Sequence, residues 1–159
     1  MCQPLNIRTS PRRAGVMAVL ALSLAAGGCN SAGALEINDP AQLQTIVAQK
    51  DKPVLVLFYK QGCASCMALM PTINQLAREY GDRVTVGQYM ILTFVFGVTS
   101  QEVKDRYDVI LVPHVVLLVN GKEQARWIME YNIDSYRKIL DGVAPPDPAR
   151  LPDAMRLSG

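Results

Sequence analysis

The chain has 159 residues, half of them hydrophobic, with 16 Lys and Arg, 14 Asp and Glu and one histidine. That length supports one ordinary domain with extensions, and a formal charge of +2 leaves no broad basic footprint for nucleic acid. No Gly-rich phosphate loop, no Ser-His-Asp order and no paired catalytic carboxylates stand in the sequence, which argues against hydrolase and nucleotide-dependent chemistry.

The amino terminus reads as an export signal. Arg8, Arg12 and Arg13 precede an apolar run over residues 14–26, too short to span a bilayer comfortably, and small residues close it at Ala25-Ala26-Gly27-Gly28-Cys29. That ending resembles a bacterial lipobox, in which the leader is cut before the cysteine and Cys29 becomes lipidated. An uncleaved anchor and ordinary secretion are the alternatives, because Ala26 stands where leucine is favoured. Arg12-Arg13 lacks the apolar and basic residues expected after a twin-arginine export pair. Loss of residues 1–28 removes three arginines and no acid, leaving 13 basic against 14 acidic residues. Cys2 departs with the leader, so the folded part keeps Cys63 and Cys66 alone, with one internal disulfide open to them. The expected divisions are a lipoprotein-type signal at 1–28, a lipidated tether at 29–34, one domain at 35–143 and a proline-rich tail at 144–159.

Within the domain, Leu35-Glu36-Ile37 alternates like a short strand. Asp39-Pro40 then supplies an N-cap and an N1 proline for a helix through Lys50. The unbroken apolar run at 54–59 suits a central parallel strand covered on both faces. From Cys63 to Tyr80, Met67, Met70, Ile73, Leu76 and Ala77 recur at helical spacing, and Gly81 ends the element. Val84-Thr85-Val86 opens the next strand. The apolar stretch 89–98 is read as its buried continuation, with an exposed docking patch as the alternative. Thr99 to Glu102 has the spacing of a capping box for a helix to about Tyr107. Residues 114–119, the Asn120-Gly121 turn and residues 123–130 form an antiparallel hairpin, and a last helix at 134–140 points Tyr136, Ile139 and Leu140 inward. Trp127 and the methionines are expected to pack in the core or at its rim.

The chemistry concentrates in Gly62-Cys63-Ala64-Ser65-Cys66, a Cys-x-x-Cys between the central strand and the long helix. A sulfur at a helix amino end meets unpaired N–H groups and the positive end of the macrodipole, which stabilise a thiolate. Cys66 sits one turn deeper on the same face, within reach of a mixed disulfide on Cys63. A structural bridge would gain little from closing so small a loop. Zinc usually takes four ligands, and this domain offers one cysteine pair and one histidine.

With Pro71 five residues after Cys66, Val112-Pro113 before the hairpin and Asn120-Gly121 within it, the chain resembles the thioredoxin family over nearly all of 35–143. The resemblance implies an α/β thioredoxin-like fold, a central mixed sheet of about five strands flanked by about four helices. It implies a thiol-disulfide oxidoreductase with Cys63 as nucleophile and Cys66 as resolving thiol. Gly62, Val112, Pro113 and His114 would support substrate binding, Pro113 in the cis form and Val112 pairing its backbone with an extended substrate. A trans proline opening a strand is the plainer reading of Pro113, and a strand histidine pointing elsewhere that of His114. No cofactor beyond the Cys63–Cys66 disulfide is implied. The expected partners are protein thiols or disulfides and a membrane electron donor, the domain being a lipid-anchored monomer on the periplasmic face of a bacterial membrane.

Several residues depart from the family. Leu57 stands where many thioredoxins bury an acid, Gly62 replaces the usual tryptophan, Ala64-Ser65 replaces Gly-Pro, and Glu130 falls near a common glycine of the substrate groove. These leave the direction of electron flow open between a reductant or isomerase, for example in cytochrome c maturation, and a disulfide-forming oxidant. A reading of a different class, a copper chaperone or non-catalytic binding module, would use Cys63, Cys66 and His114 as soft ligands. The leader makes a direct prediction: the mature protein should have the mass of residues 29–159 plus acyl groups. An unprocessed mass, or residues 29–159 without lipid, would contradict the lipoprotein reading.

Overall fold

The computed structural model describes residues 33–93 and 97–147. The leader, Cys29, Phe94-Val95-Phe96 and the end of the proline-rich tail lie outside the described residues. Eleven elements follow in chain order: β1 Leu35–Ile37, α1 Pro40–Val47, β2 Val54–Lys60, α2 Ala64–Tyr80, a 3-10 turn Gly81–Arg83, β3 Thr85–Thr93, β4 Gly97–Val98, α3 Gln101–Arg106, β5 His114–Val119, β6 Lys122–Ile128 and α4 Ile133–Val143.

The sheet runs β1-β3-β2-β5-β6, with β4 paired to β3 off that path. β1, β3 and β2 are parallel, and β5 and β6 are antiparallel additions. β2 lies at the centre, and its apolar run is buried on both faces as the sequence requires. Leu55, Leu57 and Tyr59 join one cluster with Leu69, Ile73, Leu76, Val115, Leu117, Tyr136 and Leu140. Val54, Val56 and Phe58 face the other side with Leu43, Ile46, Tyr89, Ile91, Val103, Tyr107 and Val116. Strand periodicity thus assigns each residue to one of two cores.

Local chemistry sets the boundaries. Asp39 caps α1 by accepting from the Gln42 N–H at 2.8 Å, with Pro40 in the first turn. The helix stops at Val47 rather than Lys50, because Gln49 turns its side chain to the Thr85 hydroxyl and the polar residues after it have no core to cover. The expected Thr99–Glu102 capping box does not form, and the N-cap is Ser100, with Val103 rather than an acid three residues on. Ser100 accepts from the Val103 N–H at 3.2 Å, while the Thr99 hydroxyl donates to the Met90 carbonyl at 2.8 Å and closes the β3–β4 turn. Residues 89–93 do continue the strand, with Tyr89 and Ile91 buried.

At the hairpin, Asn120 and Gly121 both take positive φ, 54° and 74°, the conformation a tight two-residue turn demands. β6 ends at Ile128, short of Glu130, because Met129 turns left-handed at φ 53° and donates its N–H to the Pro113 carbonyl at 3.1 Å. In α4 the inward residues are Tyr136 and Leu140, both fully buried. Ile139, expected inward, is 36% exposed, since the contact stripe runs through residues 133, 136, 140 and 143. The first described residues are docked: Asn74 on α2 accepts the Ala34 N–H at 2.9 Å. Ala34 is therefore held against α2 before β1 begins.

The α4 register yields a contrast measurable by denaturant unfolding. Leu140→Ala should lose about 2–5 kcal/mol and Ile139→Ala less than about 1 kcal/mol. Equal losses would mean that Ile139 is core.

Candidate functional site: the Cys63–Cys66 dithiol

β2 delivers the chain to the carboxyl edge of the sheet at Lys60. Gln61 donates its N–H to the Leu92 carbonyl at 2.9 Å, and Gly62 at φ 67° makes the left-handed step that lets α2 start within three residues of the strand. Cys63 is the N-cap of α2: its Sγ accepts from the Cys66 N–H at 3.1 Å and lies 3.1 Å from the Ser65 hydroxyl. The Met67 N–H closes the first helical turn on the Cys63 carbonyl at 3.0 Å. Cys63 and Cys66 are joined as a disulfide, with Cα atoms 5.2 Å apart. Both are buried, Cys63 at 5% exposure and Cys66 at 1%, within the cluster of Leu57, Tyr59 and Leu69. Pro71 lies inside α2, where it offers no N–H to the Met67 carbonyl one turn earlier.

Chemically this is a sulfur held by one backbone N–H and one hydroxyl at the positive end of a 17-residue helix. When the bridge is reduced, the same donors are placed to hold a thiolate on Cys63. Leu57 is fully buried in the cysteines' cluster and is apolar, so no carboxylate occupies that position to take a proton. Tyr59, in the same cluster, has its hydroxyl pushed above the usual tyrosine range by burial first and by Glu36 second.

The Val112–Pro113 peptide is cis. Val112 packs against both cores, one of which is the cluster that holds the cysteines. His114 goes elsewhere. It shares a face with Val116, pairs with Phe58 across β2 and meets that ring edge-on at 6.3 Å, on the opposite side of the sheet from the dithiol. The plainer expectation for this histidine is the one that fits. It is wholly buried, and neither ring nitrogen has a hydrogen-bond partner. Burial first, and Arg126 second, push it below the ordinary histidine range.

Sequence reasoning missed Ser65 as a sulfur partner and the exposure of apolar residues next to the motif positions. Met67 beside Cys66 is 61% exposed, Ile110 and Leu111 before Val112 are 73% and 57% exposed, and Met129 is half-exposed above Pro113. Met129, one residue before Glu130, takes a positive φ of 53°. Trp127 packs on Tyr136, ring centroids 4.8 Å apart, and belongs to the core as expected. No group of three or more His, Cys, Asp or Glu side chains suited to a metal occurs among the described residues.

The Thioredoxin family model matches residues 34–141. The chain belongs to the thioredoxin family. It is 25% identical over 131 residues to the chloroplastic thioredoxin Y of Oryza sativa subsp. japonica, covering 76% of this chain and 74% of that one. It is 29% identical over 82 residues to a thioredoxin of Acidithiobacillus ferridurans, covering 52% of this chain and 70% of the other. A mutant thioredoxin from Halobacterium salinarum NRC-1 superposes with a TM-score of 0.62 at 20% identity, over 77% of this chain and all of that one, a likeness of fold. The activity of this thioredoxin-family chain is thiol-disulfide oxidoreduction.

The sulfur contacts carry a prediction. In the reduced protein, Ser65→Ala should slow alkylation of Cys63 at neutral pH about two- to tenfold, the loss of one charge-assisted hydrogen bond. The deficit should close in strong alkali, where the thiol ionises regardless. An unchanged neutral rate would leave the backbone N–H as the sole support.

Proposed function

We propose that the protein is a membrane-tethered thiol-disulfide oxidoreductase of the bacterial envelope, acting on cysteines of other exported proteins as a reductant or isomerase. The observation that carries the reading is Cys63 as the N-cap of α2, its sulfur on the Cys66 N–H, with Cys66 bonded behind it. Cys63 thiolate attacks a substrate disulfide, forms a mixed disulfide and releases one substrate thiolate. Cys66 thiolate then attacks the Cys63 sulfur, releases the second substrate thiolate and leaves the Cys63–Cys66 disulfide, so that two electrons pass to the substrate. Recovery of the dithiol needs an external dithiol donor, expected at the membrane. In this reading Gly62 lets the helix begin at the sulfur, and the Val112 backbone beside the cis Pro113 pairs with the incoming chain.

Envelope placement rests on the leader and the Cys29 lipobox. Ala34 is docked on Asn74, so only a few residues separate a lipid on Cys29 from the folded domain, a reach of about 15 Å when extended. Those residues enter at the start of β1, whereas Cys63 follows the far end of the parallel β2. A lipid anchor would thus hold the domain close to the bilayer with its dithiol at the distant pole, turned towards extrinsic domains of partner proteins.

A Cys66→Ala variant expressed with its leader should accumulate mixed disulfides on Cys63 with exported cysteine proteins, released by reductant and absent when Cys63→Ser is added. Recovery of no disulfide-linked partner would overturn the reading.

A further inference from the structure

The sole histidine of the chain is the least explained buried group in the domain. His114 has no solvent exposure, and neither Nδ1 nor Nε2 meets a hydrogen-bond partner, a state that ordinarily destabilises the fold. An apolar residue would fill the place without that loss. The position is the first of β5, directly after Pro113, flanked by Phe58 on β2 and Ile128 on β6. The Leu111 backbone approaches the ring without reaching hydrogen-bond geometry. The imidazole is thus wedged between the sheet and the segment 108–112 that carries Val112.

Charge around the wedge is arranged by element. From β6, Arg126 projects on the same face, held by Glu123 at 2.9 Å and by Asp108 of the segment at 3.1 Å. From β3 and the carboxyl cap of α3 come the rings of Tyr89 and Tyr107, which pack on Phe58 rather than offering a carboxylate. Tyr107 is kept neutral by burial, which raises its hydroxyl. The carboxylates of Glu123 and Asp108 favour a charged imidazole, but they are engaged by Arg126, and burial outweighs them.

We propose that His114 is a positioning residue for thiol-disulfide exchange: as a neutral wedge it holds segment 108–112 in the form that presents Val112 to substrate, and its protonation releases that segment. The inference rests on the exchange reading above. Protonation turns both ring nitrogens into donors with no acceptor in place, and the nearest relief is movement of the Leu111 carbonyl and the Asp108 side chain. The sign follows from burial. Below the ordinary histidine range, about 6.5, the unfolded or loosened chain takes a proton that the closed one refuses, so the closed form loses stability as pH falls.

The test compares two probes on the reduced wild-type protein: dithiodipyridine, which needs only the Cys63 thiolate, and a short uncharged peptide with an internal disulfide, which must also dock. Thiolate titration cancels in the ratio of their rate constants. That ratio should fall about threefold or more between about pH 7.5 and pH 5, and stay flat in His114→Phe. In the wild-type NMR titration, the amides of Leu111 and Met129 should shift with the midpoint of the single histidine ring, below its ordinary value. The proposal is overturned by a pH-independent wild-type ratio, by the same fall in His114→Phe, or by a ring that titrates without moving those amides. Reaction of Cys63 with neither probe would sink the exchange reading and this inference with it, whereas reaction with a flat ratio sinks only the latter.

Discussion

The site depends on one constraint: a sulfur, rather than an oxygen, caps the amino end of α2. A serine or aspartate would satisfy the helix start at least as well. Placing Cys63 there makes the unpaired N–H groups of the first turn available to whatever charge the sulfur carries. The rest of the fold holds that helix end in place. β2, buried on both faces, fixes the point of departure, Gly62 supplies the turn, and Leu69, Ile73 and Leu76 seat the helix on the sheet.

Burial shapes the chemistry as much as capping does. Cys66 is almost sealed from solvent among apolar side chains, with Leu57 rather than an acid in the strand beneath it. An uncharged surrounding disfavours a thiolate on Cys66 and leaves Cys63, at the helix end, as the sulfur best placed to carry charge. Resolution of a mixed disulfide then depends on Cys66 losing its proton during attack, without a buried carboxylate at position 57 to receive it. Met67 beside Cys66, Ile110 and Leu111 before Val112, and Met129, bonded to the Pro113 carbonyl, are all exposed.

Much of this was legible in the sequence because it follows from periodicity and turn chemistry. The apolar run of β2, the cap and proline of α1, the Asn120-Gly121 turn and the dithiol between strand and helix all carry local signals. What escaped was decided by tertiary choice among similar residues. Thr99 and Ser100 are equally good caps by sequence, and the Met90 carbonyl takes one of them out of competition. Ile139 and Leu140 are equally apolar, and only the helix rotation separates them. Met129 takes a left-handed φ that its residue type disfavours, so propensity pointed past it. His114 shows the opposite case, since strand alternation alone places it on the far side from the cysteines.

The central claim is that Cys63 and Cys66 form a working two-electron couple poised to reduce or isomerise. Its most direct measurement is equilibration of the protein with glutathione redox buffers, followed through Trp127, which packs on the same cluster as the cysteines. The account predicts one reversible two-electron transition at or below about −180 mV, the range of isomerases and reductants. A potential near about −120 mV would contradict the reductant or isomerase direction, and the absence of a reversible couple would contradict the account as a whole.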